Sequence, residues 1–298
     1  MGYLFIAIAL MAGASKGYCG KKTSGYTEGN KDAVEFSLIR MIFCVIIGAL
    51  LIFCEGSFKY IIPPMPVVLI SALSGVATSI FVASWLVSVK KGAYMMIDVF
   101  LMVGTLVPLL LGQALFGEMI ALKQWIGFVI LIIAVVIMCS YNNTIKEKIS
   151  PFALFLLVVS GITSGLADFS QKLFVKQATE IPTSVFNFYT YVFSALTLVV
   201  FYIYFSLTQK EETEKKKPYT GKVIMYIGIM AACLFINSYF KTLAAHYLDS
   251  AKLYPLNQGL ALVISMFMSS ILFDERLTKK SVFGVALAFL GLLIINVL

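Results

Sequence analysis
The sequence is short of charge. Only 13% of its 298 residues are Asp, Glu, Lys or Arg, while 60% are hydrophobic. Soluble globular chains carry about 25% and about 45–50%. A water-soluble core could not hide that much apolar surface, so a bilayer must solvate it. Histidine is scarcer still, with one residue, and no cluster of His and Asp marks an enzyme's active site. No G-x-x-x-x-G-K-[ST] segment occurs, so direct ATP coupling within the chain is not expected. Cys19, Cys44, Cys54, Cys139 and Cys233 show no C-x-x-C spacing. They read as small buried hydrophobes, not as disulfides or metal ligands. The first apolar run has no basic residue ahead of it and leads toward a second one, against a cleavable secretory signal. A net charge of +8 would suggest nucleic acid for a soluble protein. Here the positive residues fall mainly in short loops, where they set topology, and no nucleic-acid partner is expected.

What the chain has is hydrophobic runs of bilayer length, about 20 residues each. They cover 2–20, 33–54, 65–88, 92–115, 121–141, 151–175, 182–207, 222–245, 250–273 and 279–298. The runs are continuous and do not alternate, which excludes a barrel. The expected fold is an all-α integral membrane protein of ten transmembrane helices. The chain is also written twice. LFGEMIALKQWIGFVILIIAVVIM (115–138) aligns without a gap on LFDERLTKKSVFGVALAFLGLLII (272–295). Leu115, Phe116, Glu118, Lys123 and Gly127 meet Leu272, Phe273, Glu275, Lys280 and Gly284. The first helices also match, GYLFIAIALMAGASKG (2–17) over SPFALFLLVVSGITSG (150–165). Both end in G-x-x-x-G, Gly13 with Gly17 and Gly161 with Gly165, a spacing that lets helices approach closely.

Residues 1–143 and 144–298 therefore read as two five-helix repeats in one integrated transmembrane domain. Five is odd, so equivalent helices run in opposite directions and the repeats are inverted. Lys and Arg concentrate in the odd-numbered loops, counted by the helices they join, as in Lys21, Lys22, Lys90, Lys91, Lys146, Lys148, Lys215, Lys216, Lys217 and Arg276. Basic loops mark the cytoplasmic side. Both termini are then expected on the extracytoplasmic side of a cell membrane.

These halves resemble the drug/metabolite transporter superfamily, in particular its EamA-like ten-helix proteins. The two matched helix ends carry the resemblance. So do TLAAHYLDSAKLYPLNQGLALVISMFMSSILFDE (242–275), with its Ala-x-x-Tyr helix end, and Arg40 within FSLIRMIFC. The resemblance implies a central cavity lined by helices one to four and six to nine, with five and ten outside. It is poor for substrate, since the family moves amino acids, nucleotide precursors, sugars, cations and drugs. The first half departs from it, having a shorter SVKKGAYMM in place of the Ala-x-x-Tyr end.

Charges inside a membrane helix cost roughly 2.5–3.5 kcal/mol or more and need partners, water or an escape to the interface. The candidates are Lys16, Arg40, Asp98, Asp168, Lys172, Lys241 and Lys252. One reading pairs Lys16 with Asp98 and Asp168 with Lys252, as two alternating gates. The other lets Lys16, Lys241 and Lys252 snorkel to the headgroups. Arg40 either takes such a role or joins helix two to backbone carbonyls or Glu35. Glu118 and Glu275, beside Lys123 and Lys280, read as interfacial caps, and His246 as an interfacial residue. Polar and aromatic groups in apolar helices mark a binding surface: Trp85 beside Ser84, Asn187, Tyr239 beside Asn237 and Ser238, and Tyr254 with Asn257. Tyr254 and Asn257 are three apart and share a helix face.

The expected function is secondary transport of a small polar metabolite by alternating access, with no cofactor and with proton coupling through Asp98 or Asp168 as an option. Mixed intramembrane charges suit a zwitterion such as an amino acid. The partners are then a small-molecule substrate and the lipid bilayer, for a monomer or homodimer. The alternatives are a drug or quaternary-cation exporter, which needs an unpaired acid in an aromatic cage, and a non-transporting membrane scaffold, which needs no polar cavity.

Overall fold
The computed structural model describes residues 1–26, 30–91, 100–139, 151–208, 219–272 and 279–296. Among these the regular elements are all helices, and no strand occurs. They are α1 (Gly2–Thr23), α2 (Asn30–Glu55), α3 (Met65–Lys91), α4 (Leu106–Phe116), α5 (Leu122–Cys139), α6 (Pro151–Gln177), α7 (Thr183–Thr208), α8 (Gly221–Ala245), α9 (Ser250–Leu272) and α10 (Lys279–Asn296). Residues 100–104 are also helical, and Phe100–Phe116 makes one apolar run with Thr105 at the join.

Among the described residues, six helices are long and apolar enough to cross a bilayer: Gly2–Thr23, Lys31–Glu55, Met65–Leu86, Thr183–Thr208, Gly221–Ala245 and Ser250–Leu272. The shorter apolar helices are Phe100–Phe116, Leu122–Ala134 and Val282–Ile295. The 27 residues of α6 give it ample length, at about 1.5 Å each, and it carries Asp168, Lys172 and Lys176. On α2, Ile42, Ile46, Leu50 and Phe53 are all exposed. That stripe recurs at helical spacing and has only lipid to face.

Local chemistry fixes the helix ends. Pro151 opens α6, and the carbonyls of Pro64 and Pro182 accept the first N–H bonds of α3 and α7, from Val67 (2.9 Å) and Val185 (3.1 Å). Proline is tolerated there because first-turn N–H groups have no helical partner. Gly117 ends α4 at φ +64°, a left-handed position that favours glycine. Its N–H donates to the Gln113 carbonyl and that of Glu118 to the Gly112 carbonyl. This tight turn sets Glu118 at the mouth of the bundle.

Eight helices close a ring. Each packs on the next in the order α1, α8, α2, α7, α3, α6, α4, α9 and back to α1. Among the described residues the lightest packing in the ring is between α4 and α9. Outside it, α5 packs on α10, with α10 against α9. Gly127 and Gly291 let those two backbones touch, since a Cβ on either would stand 2.8–2.9 Å from the other's carbonyl oxygen. The N-terminus and the connections 56–64, 117–121, 178–182 and 246–249 gather at one end, called the even-loop end here. There Gly2 abuts Leu248, Glu118 meets Ser250, and Tyr189 donates to the Ile61 carbonyl.

The G-x-x-x-G of α6 is used at the ring's tightest crossing. A Cβ on Gly165 would lie 2.0 Å from the Gly104 carbonyl oxygen, and one on Gly161 would lie 2.5 Å from that of Phe100. Gly165→Val should therefore destabilise the protein by about 2 kcal/mol or more, as overpacking does. Gly228→Ala, with nothing within 4 Å of its Cβ position, should be neutral or slightly stabilising. Thermal unfolding of the detergent-solubilised protein compares the two.

Candidate substrate cavity and its ion pairs
Polar side chains recur at helical spacing on three of the ring's helices. On α6 they are Ser164, Asp168 and Gln171; on α8, Asn237, Ser238 and Lys241; on α9, Asn257, Gln258 and Ser265. All nine line one central cavity, with Lys16, Thr78, Phe81, Trp85 and Tyr191 completing its polar and aromatic wall. About 100 Å³ is open to the centres of water-sized molecules. That is room for several waters and suits a small solute. Among the described residues, no lining residue comes from α5 or α10, in keeping with their place outside the ring. None comes from α2 either, although it belongs to the ring.

The cavity wall holds a salt bridge. Lys241 donates to Asp168 Oδ1, and the two side chains are 10% and 3% exposed. Tyr254 braces the same turn, its hydroxyl donating to the Asp168 backbone carbonyl (2.7 Å). Gln171 Nε2 donates to Ser238 (3.2 Å), which donates to Asn187 Oδ1 (2.7 Å). Asn237 Nδ2 donates to the Ala9 carbonyl (2.6 Å) and ties α8 to α1. Lys16 Nζ stands 5.6 Å from the ring centres of both Phe81 and Trp85, within cation–π range. Gln171 Oε1 and Asn257 Oδ1 are buried without a partner.

One turn beyond Asp168 on α6 lies a second charged cluster. Lys172 is 3% exposed, 3.2 Å from Glu118 Oε1, and donates to the carbonyls of Ala245 (3.2 Å) and Leu248 (2.8 Å). Glu118 Oε2 accepts the Ser250 N–H (3.0 Å), and half-exposed Lys176 stands 3.9 Å from Oε1. Burial pushes the Glu118 carboxyl up, but Ser250 and Lys172 outweigh it and hold it below its usual range. His246, in the α8–α9 turn, is lowered by burial and then by the Lys172 charge. At the same end Glu55 accepts from Ser184 Oγ (2.5 Å) and the Tyr239 hydroxyl (3.1 Å).

The structure brings Lys16, Trp85, Asp168 and Asn257 together around the cavity. Asp98 lies outside the described residues, and the Lys16–Asp98 pairing with it. The expected Asp168–Lys252 pair is corrected: Asp168 is held by Lys241. Lys252 stands exposed in the first turn of α9, where headgroups can solvate it. The snorkelling reading of Lys241 fails for the same reason, because its ammonium is turned inward onto a carboxylate. Arg40 is 1% exposed, and its Nε and Nη2 have no partner, Glu35 and carbonyls included. Tyr254 is a buried brace. Asn187, which also donates to the Thr183 carbonyl, is helix-to-helix glue, and Tyr239 bonds Glu55 while its ring stacks on Phe235. None of these three lines the cavity. Glu118 does cap a helix end, but that of α9 rather than its own turn.

Sequence reasoning left Gln171 and Gln258 unmarked and set Lys241 at the interface. The signal was available in the spacing, since 164, 168 and 171 form one stripe and 237 and 241 another.

Residues 151–297 match the EamA-like transporter family. A comparison with curated proteins finds no match. The fold is similar to a solved structure titled "Crystal structure of protein", with a TM-score of 0.72 at 14% identity, covering 99% of this chain and 96% of that one. At that identity the likeness speaks for fold alone.

Two measurements test these pairs. Lys241→Met strands a buried carboxylate and should cost about 3–5 kcal/mol of unfolding free energy. Asp168→Asn with Lys241→Met should cost less than the sum of the single changes. His246 is the only histidine, so one imidazole signal reports its titration by NMR. Its midpoint should lie below the ordinary value of about 6.5 and move upward in Lys172→Met, which removes one of the two lowering influences. The fold favours the neutral ring, so this contribution to stability is full above the ordinary midpoint and is lost as pH falls through the depressed one.

Proposed function
We propose, for a chain that belongs to the drug/metabolite transporter superfamily, that it is a secondary transporter carrying an amino acid or related small polar metabolite across the plasma membrane by alternating access. The observation that carries this reading is the Asp168–Lys241 pair in the wall of a small polar cavity. Such a wall offers a cation to a carboxylate and an anion to an ammonium, with Asn257, Gln258 and Trp85 to orient the rest of a small zwitterion. Coupling to protons through Asp168 belongs to the same reading.

The packing supports two inverted five-helix repeats. Exchanging α1–α5 with α6–α10 turns the α1–α8 contact into α6–α3, α3–α7 into α8–α2, and α4–α6 into α9–α1. The contacts α2–α7, α5–α10 and α4–α9 map onto themselves. The ring therefore maps onto itself as an internal two-fold would require. With basic residues concentrated in odd-numbered loops, the even-loop end and both termini face away from the cytoplasm.

The cation-exporter alternative asks for an unpaired acid facing an aromatic cage. Asp168 is paired, and the Tyr254 hydroxyl is spent on its backbone. The scaffold alternative has no use for a polar cavity of this kind.

Thermal shift of the purified protein against a metabolite panel should show stabilisation by a zwitterionic amino acid. Its amine-only and acid-only analogues should stabilise less, and Asp168→Asn should lose the preference. Proteoliposome flux with and without a pH gradient then reads coupling. Stabilisation by quaternary cations alone would instead favour the exporter, and no flux of any solute would sink transport.

A further inference from the structure
The α8–α9 turn has a peculiarity of hydrogen bonding. The last carbonyls of a helix and its first N–H groups have no helical partner. The turn's own N–H groups, from His246, Tyr247 and Leu248, go to the carbonyls of Leu243 and Ala244. The carbonyls of Ala245 and Leu248 are taken by Lys172, and the Ser250 N–H by Glu118. A cation thus sits at the negative end of α8 and an anion at the positive start of α9, each with the sign the helix dipole favours. The two charges are 3.2 Å apart and pair with one another.

Position makes this more than a cap. Glu118 follows α4 and reaches α9, so it spans the seam between those two helices. Lys172 is on α6 and reaches the end of α8, across the even-loop end of the cavity. The turn's backbone–backbone bonds involve neither charge, so it keeps them when both charges withdraw.

We propose that Glu118 and Lys172 form the gate of the even-loop end, closed in this structure. It opens when Lys172 leaves the α8 carbonyls and Glu118 leaves Ser250, parting α4 and α6 from α8 and α9. The gate is coupled to the cavity by helical spacing. Asp168 and Lys172 are one turn apart on α6, and Lys241 and Ala245 are one turn apart on α8. The Asp168–Lys241 bridge and the Lys172–Ala245 contact are therefore successive rungs between the same two helices. A solute carboxylate that draws Lys241 from Asp168 removes the inner rung and leaves the gate and the Gln171–Ser238 hydrogen bond as the polar ties between them. This coupling rests on the transport reading above; the gate itself does not.

The test is access. Ala261, in the cavity wall, is changed to Cys in the full chain after the five native cysteines are replaced, and vesicles of known orientation are treated with a charged, membrane-impermeant thiol reagent. Glu118→Gln and Lys172→Met should each speed modification from the even-loop face by about tenfold, the size expected for a modest shift in a two-state population. The reversed pair, Glu118→Lys with Lys172→Glu, should return part of the way to the parent rate. Unchanged even-face rates in single variants that keep the parent's melting temperature and elution profile would overturn the gate. If the charge variants do not fold, Gly112→Ala decides. Its Cβ would stand 3.1 Å from both Glu118 Oε2 and Ser250 Oγ, so it crowds the Glu118–Ser250 contact without removing a charge. A faster even-face rate supports the gate, and an unchanged one overturns it. Labelling needs no solute, so a panel in which no metabolite alters the rate would count against the transport reading and leave the gate result standing.

Discussion
The rest of the structure depends on how α6 keeps charge inside an apolar bundle. A lone ammonium or carboxylate in that setting is expensive, and this helix buries one of each, a turn apart. Both are affordable only because other helices supply the opposite charge or free carbonyls at the right height. Asp168 requires Lys241 of α8. Lys172 requires Glu118 and the open end of α8. These demands fix the rotation of α6 and the register of α8 against it. With those set, Gln171, Ser238 and Asn187 fall into one hydrogen-bonded line.

Close backbone contact then determines how narrow the ring can be. Gly104 with Gly165 draws the α4 segment onto α6, and Gly127 with Gly291 does the same for α5 and α10 outside. In hydrocarbon, helices gain little from burying apolar side chains against one another, and packing of small residues is the main source of cohesion. The glycine seams and the polar stripes are thus complementary: one brings backbones together where nothing must pass, and the other leaves space where something can.

Much of this was legible in the sequence. The apolar runs and the absence of alternation gave helices, and Gly161 with Gly165 announced a tight crossing that the backbone contacts bear out. The membership signalled by the doubled helix ends also holds. Lys16, Trp85, Asp168 and Asn257, which line the cavity, stand out in the sequence because a polar or aromatic group in a long apolar run is costly. Partner choice was not legible. Lys241 and Lys252 have the same chemistry and both lie near the α8–α9 turn, and only the rotation of each helix decides which faces Asp168. Tyr254 illustrates the same limit: it shares a face with Asn257, yet its hydroxyl is turned to the α6 backbone rather than the cavity. Glu118 looked like a local cap because its contacts with Lys172 and Ser250 are distant in sequence and invisible to spacing.

The location of the two ion pairs gives them different work. Asp168 and Lys241 both belong to the second half of the chain, whereas Glu118 comes from the first half and Lys172 from the second. If the halves are repeats related by a two-fold, the axis carries neither pair onto itself. The inner pair faces the cavity, where a solute of mixed charge can compete for both partners at once. The outer pair is not among the residues lining the cavity, and water competes for it when the seam between α4 and α9 parts. One bridge is therefore suited to sensing occupancy and the other to holding the end shut, and α6 carries a member of each one helical turn apart.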